Sequence, residues 1–518
     1  VTVPTPPTGI DAAPSAVSEH LAGPRIGVPE AVLQKIAASG ATVARDDTER
    51  AQASRDWWPI AIDWAAAGQV PALPAVVVRP TDARQVAATL AACSAARVPV
   101  TPMAGRSGVC GAAVPVFGGV ALDCTGLVGP VAIDEISLLA DVPAGIFGPE
   151  LEACLRATGP GYTLGHWPQS MDLSTVGGWL ACRGAGQLST RYGKVEDMVV
   201  GLTVVLADGR IVSTEGCAPR AATGPNLTQL FVGSEGTLGV IVSARLRIHP
   251  ITPSGGQRAY GFASFSDGLD ACRRILRRGA TPAVLRLYDQ SESGRNFDRS
   301  DTCVLIVSDE ADPALVEATS RIVEDECRSA DPLEESLVAR WFDHRNDVSA
   351  LAPLWRAGVV VDTVEVAGRW SALPELASSV VAALEAIPGT LAASVHQSHA
   401  YTDGACLYFT FAGKQPGGEA STDGEASTDG RTGADEQARW RGSYYRQAWD
   451  AVIEVTQRNH AAISHHHGIG LNRSRFLSDA LGSSFEVLQA IKAVLDPTGI
   501  LNPGKLGLPS SFGEVQWP

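Results

Sequence analysis

The chain has 518 residues, of which 45% are hydrophobic and 19% charged, enough for a large buried core in two to four domains; global disorder is excluded. Its 41 Lys and Arg against 56 Asp and Glu leave a formal net charge of −15, without the basic excess of a general nucleic-acid binder. Ten cysteines are dispersed from Cys93 to Cys406 with no CxxC pair; they read as buried thiols of a reducing compartment, and no metal site is expected.

The amino terminus, Val1-Thr2-Val3-Pro4 onward, lacks the basic start and apolar core of a signal peptide. No stretch approaches the roughly 18 consecutive apolar residues of a membrane-spanning helix. A soluble cytoplasmic protein is the expectation. Residues 1–25 read as a loose lead-in, and Pro29 to Trp64 as helical and polar. Together 1–70 form an N-terminal region.

Strand and helix alternate from Ala75. Val76-Val77-Val78 is a β-branched strand. Thr81 is the expected N-cap of a helix in which Val86, Leu90 and Cys93 recur at helical spacing. Further strands are expected at 98–100, 119–123, 141–143, 199–207 and 243–248, and Met198–Ala207 stops at an Asp208-Gly209 turn. After Pro250 the texture changes. A strand at 262–265, a helix at 266–278, a strand at 284–288 and a second set at 303–307 and 313–328 predict an α+β unit on an antiparallel sheet. Two copies of Glu-Ala-Ser-Thr-Asp-Gly, at 419–424 and 425–430, predict a disordered loop over 415–437. A helix from about Arg439 to Arg458 then leads to His465-His466-His467.

Three loops of small residues lie near apolar strands. The first is Pro102-Met103-Ala104-Gly105-Arg106-Ser107-Gly108. The second runs from His166 through Gln169, Ser170, Asp172, Ser174 and Thr175 to Cys182-Arg183-Gly184-Ala185. The third is Glu235-Gly236-Thr237-Leu238-Gly239-Val240-Ile241. Small residues let backbone amides approach phosphate oxygens, and three such loops together point to one extended phosphorylated ligand. No amphipathic helix follows the first loop, so it is not a Rossmann fingerprint. Three consecutive imidazoles on a strand point alternately and chelate a metal poorly, but they suit acid–base work near neutral pH.

These loops, with Tyr192-Gly193-Lys194-Val195-Glu196-Asp197, resemble the FAD-binding domain of the vanillyl-alcohol oxidase / p-cresol methylhydroxylase flavoproteins. More narrowly, Ser174-Thr175-Val176-Gly177-Gly178-Trp179, Ala222-Thr223-Gly224-Pro225, Gly404-Ala405-Cys406-Leu407-Tyr408-Phe409 and Ser464-His465-His466-His467-Gly468 resemble alkyldihydroxyacetonephosphate synthase. The likeness runs from about Asp56 to Lys505, dense at 75–250 and 396–412 and thin at 290–360.

The resemblance implies an α+β fold: a two-subdomain PCMH-type FAD-binding domain at 71–250, an α+β cap at 251–460, and a C-terminal segment at 461–518 that returns to the flavin. It implies FAD bound through the three loops, with Pro102–Gly108 on the pyrophosphate and His166 and Thr175 near the flavin. Tethered relatives often carry a His in the first loop; Ser107 stands there, so noncovalent FAD is expected. The family usually has a run of glycines in that loop, and Ala104 and Arg106 depart from it. If either position needs φ > 0, the substitution costs about 1 kcal/mol.

In the synthases the His triplet lines the active site, Tyr408 matches the proton-transferring tyrosine and Arg286 an active-site arginine. A second arginine, which would help hold a substrate phosphate, is His396 here. The implied reaction exchanges an acyl group for a long-chain alcohol through a flavin N5 adduct, giving an ether lipid. The rival is FAD-linked oxidation of a 2-hydroxy acid or similar alcohol; those enzymes usually show Gly-Glu-His-Gly-Ile-Gly where His465-His466-His467-Gly468-Ile469-Gly470 stands. A non-catalytic binding protein is the third class, disfavoured by the joint presence of His166, Tyr408, Arg286 and the triplet. A homodimer and peripheral membrane contact are expected by resemblance only.

Overall fold

The computed structural model describes residues 17–214, 219–252, 254–347, 351–416 and 430–515. They form two compact units. The first takes the chain up to Gly186, Tyr192–Ile251 and His466 onward; the second takes Gln187–Arg191 and Thr252–His465.

In the first unit, Thr42–Ala44, Val76–Arg79, Val120–Asp123 and Val100–Met103 line up in that order, the last three parallel and the first antiparallel. Val76, Val77 and Val78 are all buried, as expected for a parallel strand covered on both faces. The helix Ala83–Ala96 buries Val86, Leu90 and Cys93. Its cap is Asp82 rather than Thr81: the Asp82 carboxylate accepts from the Arg84 and Gln85 amides at 2.8 and 2.9 Å, while the Thr81 amide donates to the Gln85 side chain. A second, antiparallel sheet has the order Ile211–Ser213, Val199–Val205, Val240–Arg247, Leu139–Pro143, Ala132–Asp134. Leu202, Val204, Leu246, Val142 and Trp179 meet in its core.

The region 29–64 is not one polar helix. It forms Glu30–Ala38, Asp47–Gln52 and Ile60–Ala66, with the strand Thr42–Ala44 between the first two. Trp58 is fully buried, edge-on to Trp64 at 5.3 Å, and Arg55 and Asp56 are buried beside it. The charges around the two tryptophans disguised an interior segment.

The second unit carries one seven-stranded antiparallel sheet. Its order is Asp331–Leu333, Ser254–Phe262, Cys303–Ala311, Val284–Tyr288, Thr390–Ala400, Gly404–Gly413, Val360–Arg369. The strand expected at 262–265 ends at Phe262, because Ser264 caps the helix Phe265–Arg277 by accepting from the Asp267 amide at 3.1 Å. The helix expected from Arg439 begins at Gly430, so the stretch expected as loop over 415–437 is helical from there. Residues 417–429, with nearly all of the tandem repeat, lie outside the described residues. Among the described residues, no helix is long and apolar enough to cross a membrane.

Candidate functional site

The three loops read separately in the sequence come together in the first unit. At Gly105 an added Cβ would stand 2.1 Å from the Leu173 carbonyl oxygen, and at Gly236 it would stand 3.0 Å from Pro102. At Gly468, φ is +82° and a Cβ would meet the Glu235 carboxylate at 2.5 Å. The segment after the His triplet therefore belongs to the same cluster, and glycine permits these approaches.

Three features of this cluster fit the phosphorylated cofactor that the resemblance implies. Among the described residues, the amides of Gly105, Arg106, Ser107, Gly108 and Val109 donate to no protein group, which leaves a row of donors for an anion. Arg106 Nη1 is buried without a partner. His166 is fully buried with neither ring nitrogen bonded, 4.6 Å from the Trp179 ring; burial holds its pKa down at about 3, so it is neutral. Arg106 adopts φ +56°, so of the two departures in the first loop it is Arg106, not Ala104, that occupies the left-handed region.

Other residues expected to line the cofactor are spent on the scaffold. Ser174 Oγ accepts from Trp179 Nε1 at 2.6 Å, and Thr175 caps the helix Val176–Cys182. Arg183 is exposed and pairs with Glu196 at 3.3 Å. Gln169 and Asp172 are exposed, and Ser170 donates to Ser174. Leu238, Val240 and Ile241 are core side chains that offer a ligand only backbone. Thr237 donates to the Ser234 carbonyl and accepts from buried Lys492 through its own carbonyl. The buried Glu235 carboxylate accepts the Ile469 and Gly470 amides at 2.6 and 2.8 Å, and Cys182 Sγ donates to the His466 carbonyl at 3.5 Å. Lys505, fully buried, donates to the Val114 carbonyl at 2.7 Å; burial lowers its pKa to about 7.

The second unit gathers the other half of the expected residues on one sheet face. Tyr288, His396, Tyr408 and Glu365 are successive cross-strand partners, so their side chains form a single row. The His396 ring lies between those of Tyr288 and Tyr408, 5.1 and 4.9 Å away at interplanar angles of 28° and 20°, close to the spacing of the strands themselves. Arg286, two residues from Tyr288 on the same face, donates from Nη2 to His396 Nε2 at 2.8 Å and lies 5.2 Å above the Trp341 ring. Its Nε is buried without a partner. His396 Nδ1 faces the Glu292 carboxylate at 2.7 Å. Both ring nitrogens of His396 are thus engaged by the protein.

Tyr408 accepts from Thr363 Oγ1 at 3.1 Å; burial pushes its pKa well above the ordinary value, so the phenol keeps its proton. Glu365 accepts the Ser464 hydroxyl and the His465 amide at 2.9 and 3.1 Å. The triplet itself sits in bends, not on a strand, so the alternation expected of it does not apply. His465 Nε2 pairs with the Tyr401 hydroxyl at 3.0 Å, and its ring stacks 4.8 Å from that of His399, which Ser189 holds at 2.8 Å. His466 and His467 belong to the first unit, their rings 4.5 Å apart and edge-on.

Sequence reasoning missed Glu292, Glu365, Tyr288 and Thr363. Strand pairing alone reveals three of them. Glu292 carries a weak signal, as an acid in the first turn of Gln290–Phe297 behind the cap Asp289.

Residues 74–215 match the family model of an FAD binding domain, and 258–506 that of the C-terminal domain of FAD linked oxidases. The chain is 30% identical over 454 residues to an uncharacterized FAD-linked oxidoreductase, YgcU, of Escherichia coli K12, covering 84% of this chain and 89% of that one. It is 27% identical over 479 residues to alkyldihydroxyacetonephosphate synthase of Dictyostelium discoideum, covering 85% and 74%. It is 26% identical over 460 residues to glycolate oxidase subunit GlcD of Bacillus subtilis, covering 85% and 90%. Among solved structures, an alkyldihydroxyacetonephosphate synthase shares the fold with a TM-score of 0.74 at 24% identity, over 94% of this chain and 87% of that one.

Proposed function

The chain belongs to the FAD-linked oxidoreductases of the PCMH-type FAD-binding superfamily, and on that premise we propose that it oxidises a small anionic alcohol, a 2-hydroxy acid or similar compound, with FAD held noncovalently. The observation that carries this reading is the cluster of Arg286, His396 and Tyr408, in which Arg286 donates to His396 and the His396 ring stacks on Tyr408. Arg286 would bind the anionic group through its unpartnered Nε edge. Tyr408, held protonated, would donate a hydrogen bond to a substrate oxygen. His465, in the same unit as Arg286 and Tyr408, would take the hydroxyl proton. Bound FAD would supply the two-electron acceptor. Its holders in this chain would be the amides of residues 105–109, the Arg106 guanidinium and the environment of His166.

His396 supports a substrate without a phosphate. A neutral imidazole with both nitrogens engaged brings no charge to a phosphate, and the Glu292 carboxylate stands directly behind it.

The second reading is exchange of an acyl group for a long-chain alcohol, as in alkyldihydroxyacetonephosphate synthase. His466 favours it, standing where hydroxy-acid enzymes usually carry Glu; a homodimer with peripheral membrane contact would accompany it. One comparison separates the two readings. The purified holoenzyme is given 2-hydroxy acids with an artificial electron acceptor, and separately an acylated dihydroxyacetone phosphate with a long-chain alcohol. Dye reduction is expected; ether product without it would replace the first reading by the second.

A further inference from the structure

Glu292 has no part in the chemistry read so far, yet it is among the most firmly held groups in the second unit. Its helix starts at Asp289, whose carboxylate accepts both the Glu292 amide and the Val395 amide at 2.7 Å, tying the helix start to the strand that carries His396. One Glu292 oxygen accepts from Ser394 and Thr410 hydroxyls at 3.1 Å each, and the other faces His396 Nδ1. Arg295 lies 3.3 Å away. With two hydroxyls donating to one of its oxygens and the Arg295 guanidinium beside it, Glu292 stands as a carboxylate. Burial lowers the pKa of His396 and leaves it neutral despite that carboxylate.

A neutral imidazole has one N–H, and the neighbours determine where it sits. A guanidinium only donates and an ionised carboxylate only accepts. His396 must therefore carry its proton on Nδ1 and present a bare Nε2 to Arg286. The opposite tautomer would set two N–H groups against each other across 2.8 Å and leave a buried carboxylate facing a lone pair.

We propose that Glu292 is a positioning residue: by taking the Nδ1 hydrogen bond of His396 it fixes the tautomer whose Nε2 anchors Arg286, and so holds the guanidinium in place for the substrate's anionic group. The stacked rings of Tyr288 and Tyr408 fix the plane of the imidazole, and Glu292 fixes its proton. The inference rests on the reading of Arg286 as the anion-binding group.

The test has one arm that needs no substrate. Nitrogen-15 spectra of histidine-labelled holoenzyme, with the His396 signals identified by their loss in His396→Gln, are expected to show a protonated Nδ1 and an unprotonated Nε2 in the wild type. A protonated Nε2 would overturn the proposal whatever the enzyme turns over. The second arm measures kinetics with whichever of glycolate or an acylated dihydroxyacetone phosphate the holoenzyme turns over. Glu292→Leu is expected to raise KM at least tenfold with kcat changed less than threefold, and Glu292→Gln, which keeps an acceptor, to raise KM at least threefold. Should the leucine variant fail to fold, the glutamine variant decides. If Arg286→Lys raises KM while neither Glu292 variant does, the positioning role falls and Arg286 keeps its own. If Arg286→Lys leaves KM unchanged as well, the anion-binding reading falls and takes this proposal with it.

Discussion

Glu365 is the cross-strand partner of Tyr408, and its buried carboxylate holds the Ser464 hydroxyl and the His465 amide. One strand pairing thus places the phenol beside the group that fixes where the His triplet begins. Burial first, and then the charges of Glu365 and Asp362, keep the phenol protonated against the opposing hydrogen bond from Thr363.

Tyr408→Phe removes only that hydroxyl. Turnover is expected to fall by about 100-fold or more, the usual scale for a positioned acid or base, while the flavin absorbance per chain stays the same. Steady-state rates and a visible spectrum check both halves, and unchanged turnover would remove Tyr408 from the chemistry.

His166 is neutral in the fold and has a pKa near 3, whereas an unfolded histidine titrates at its ordinary value of 6.5. Between those limits the unfolded chain binds a proton that the folded chain refuses, so stability falls as pH falls from 6.5 towards 3 and stays level above that window. The slope from this group is at most about 1.4 kcal/mol per pH unit. Denaturant unfolding of wild type and His166→Phe across pH 4–7 should differ in slope by close to one proton. Equal slopes would place the ring in contact with solvent or charge.

Arg106 holds a left-handed conformation at φ +56° without the freedom of glycine. Arg106→Gly should stabilise the FAD-free protein by about 1 kcal/mol and at the same time weaken FAD binding by removing a buried cation. Denaturant midpoints and a flavin fluorescence titration measure the two effects separately. Tighter FAD binding in the variant would mean that the guanidinium points away from the diphosphate.

Glu235→Gln replaces a carboxylate that accepts two amides by a group with one acceptor and two donors. One of the Ile469 and Gly470 amides then meets an N–H, at a cost of about 1–3 kcal/mol. A lowered melting temperature with faster FAD release is the expected result. An unchanged melting temperature would show that the 468–470 segment is held by its glycine contacts alone.

Much of the cofactor half was legible because its chemistry is local. Small residues after Val100–Met103 and before Val240–Arg247 imply loops whatever surrounds them, and Arg106 stood out because a side chain occupied a glycine position. The loops' mutual contacts, such as Gly468 on Glu235, were not legible, since no periodicity links residues more than two hundred apart. Arg286, His396 and Tyr408 could be singled out one by one, but their meeting on one sheet face is a matter of register, which lies in strand pairing and not in any one segment. The same limit hid Glu292 and Glu365, acids whose role depends on the residue across the sheet. The region from Pro29 to Trp64 misled because its charged residues look like surface until Arg55 and Asp56 prove to be buried.

The five residues Gln187–Arg191 belong to the second unit although the chain on either side of them belongs to the first, and two of them hold residues of that second unit. Ser189 holds His399, and Arg191 pairs with the buried Asp309 at 2.5 Å. Anyone wishing to excise the second unit by cutting at 252 and 465 would discard both partners, leaving Asp309 without its guanidinium and His399 without its serine. A detachable version of that module has to be assembled from two peptides, or rewired so that this short excursion is spliced back in.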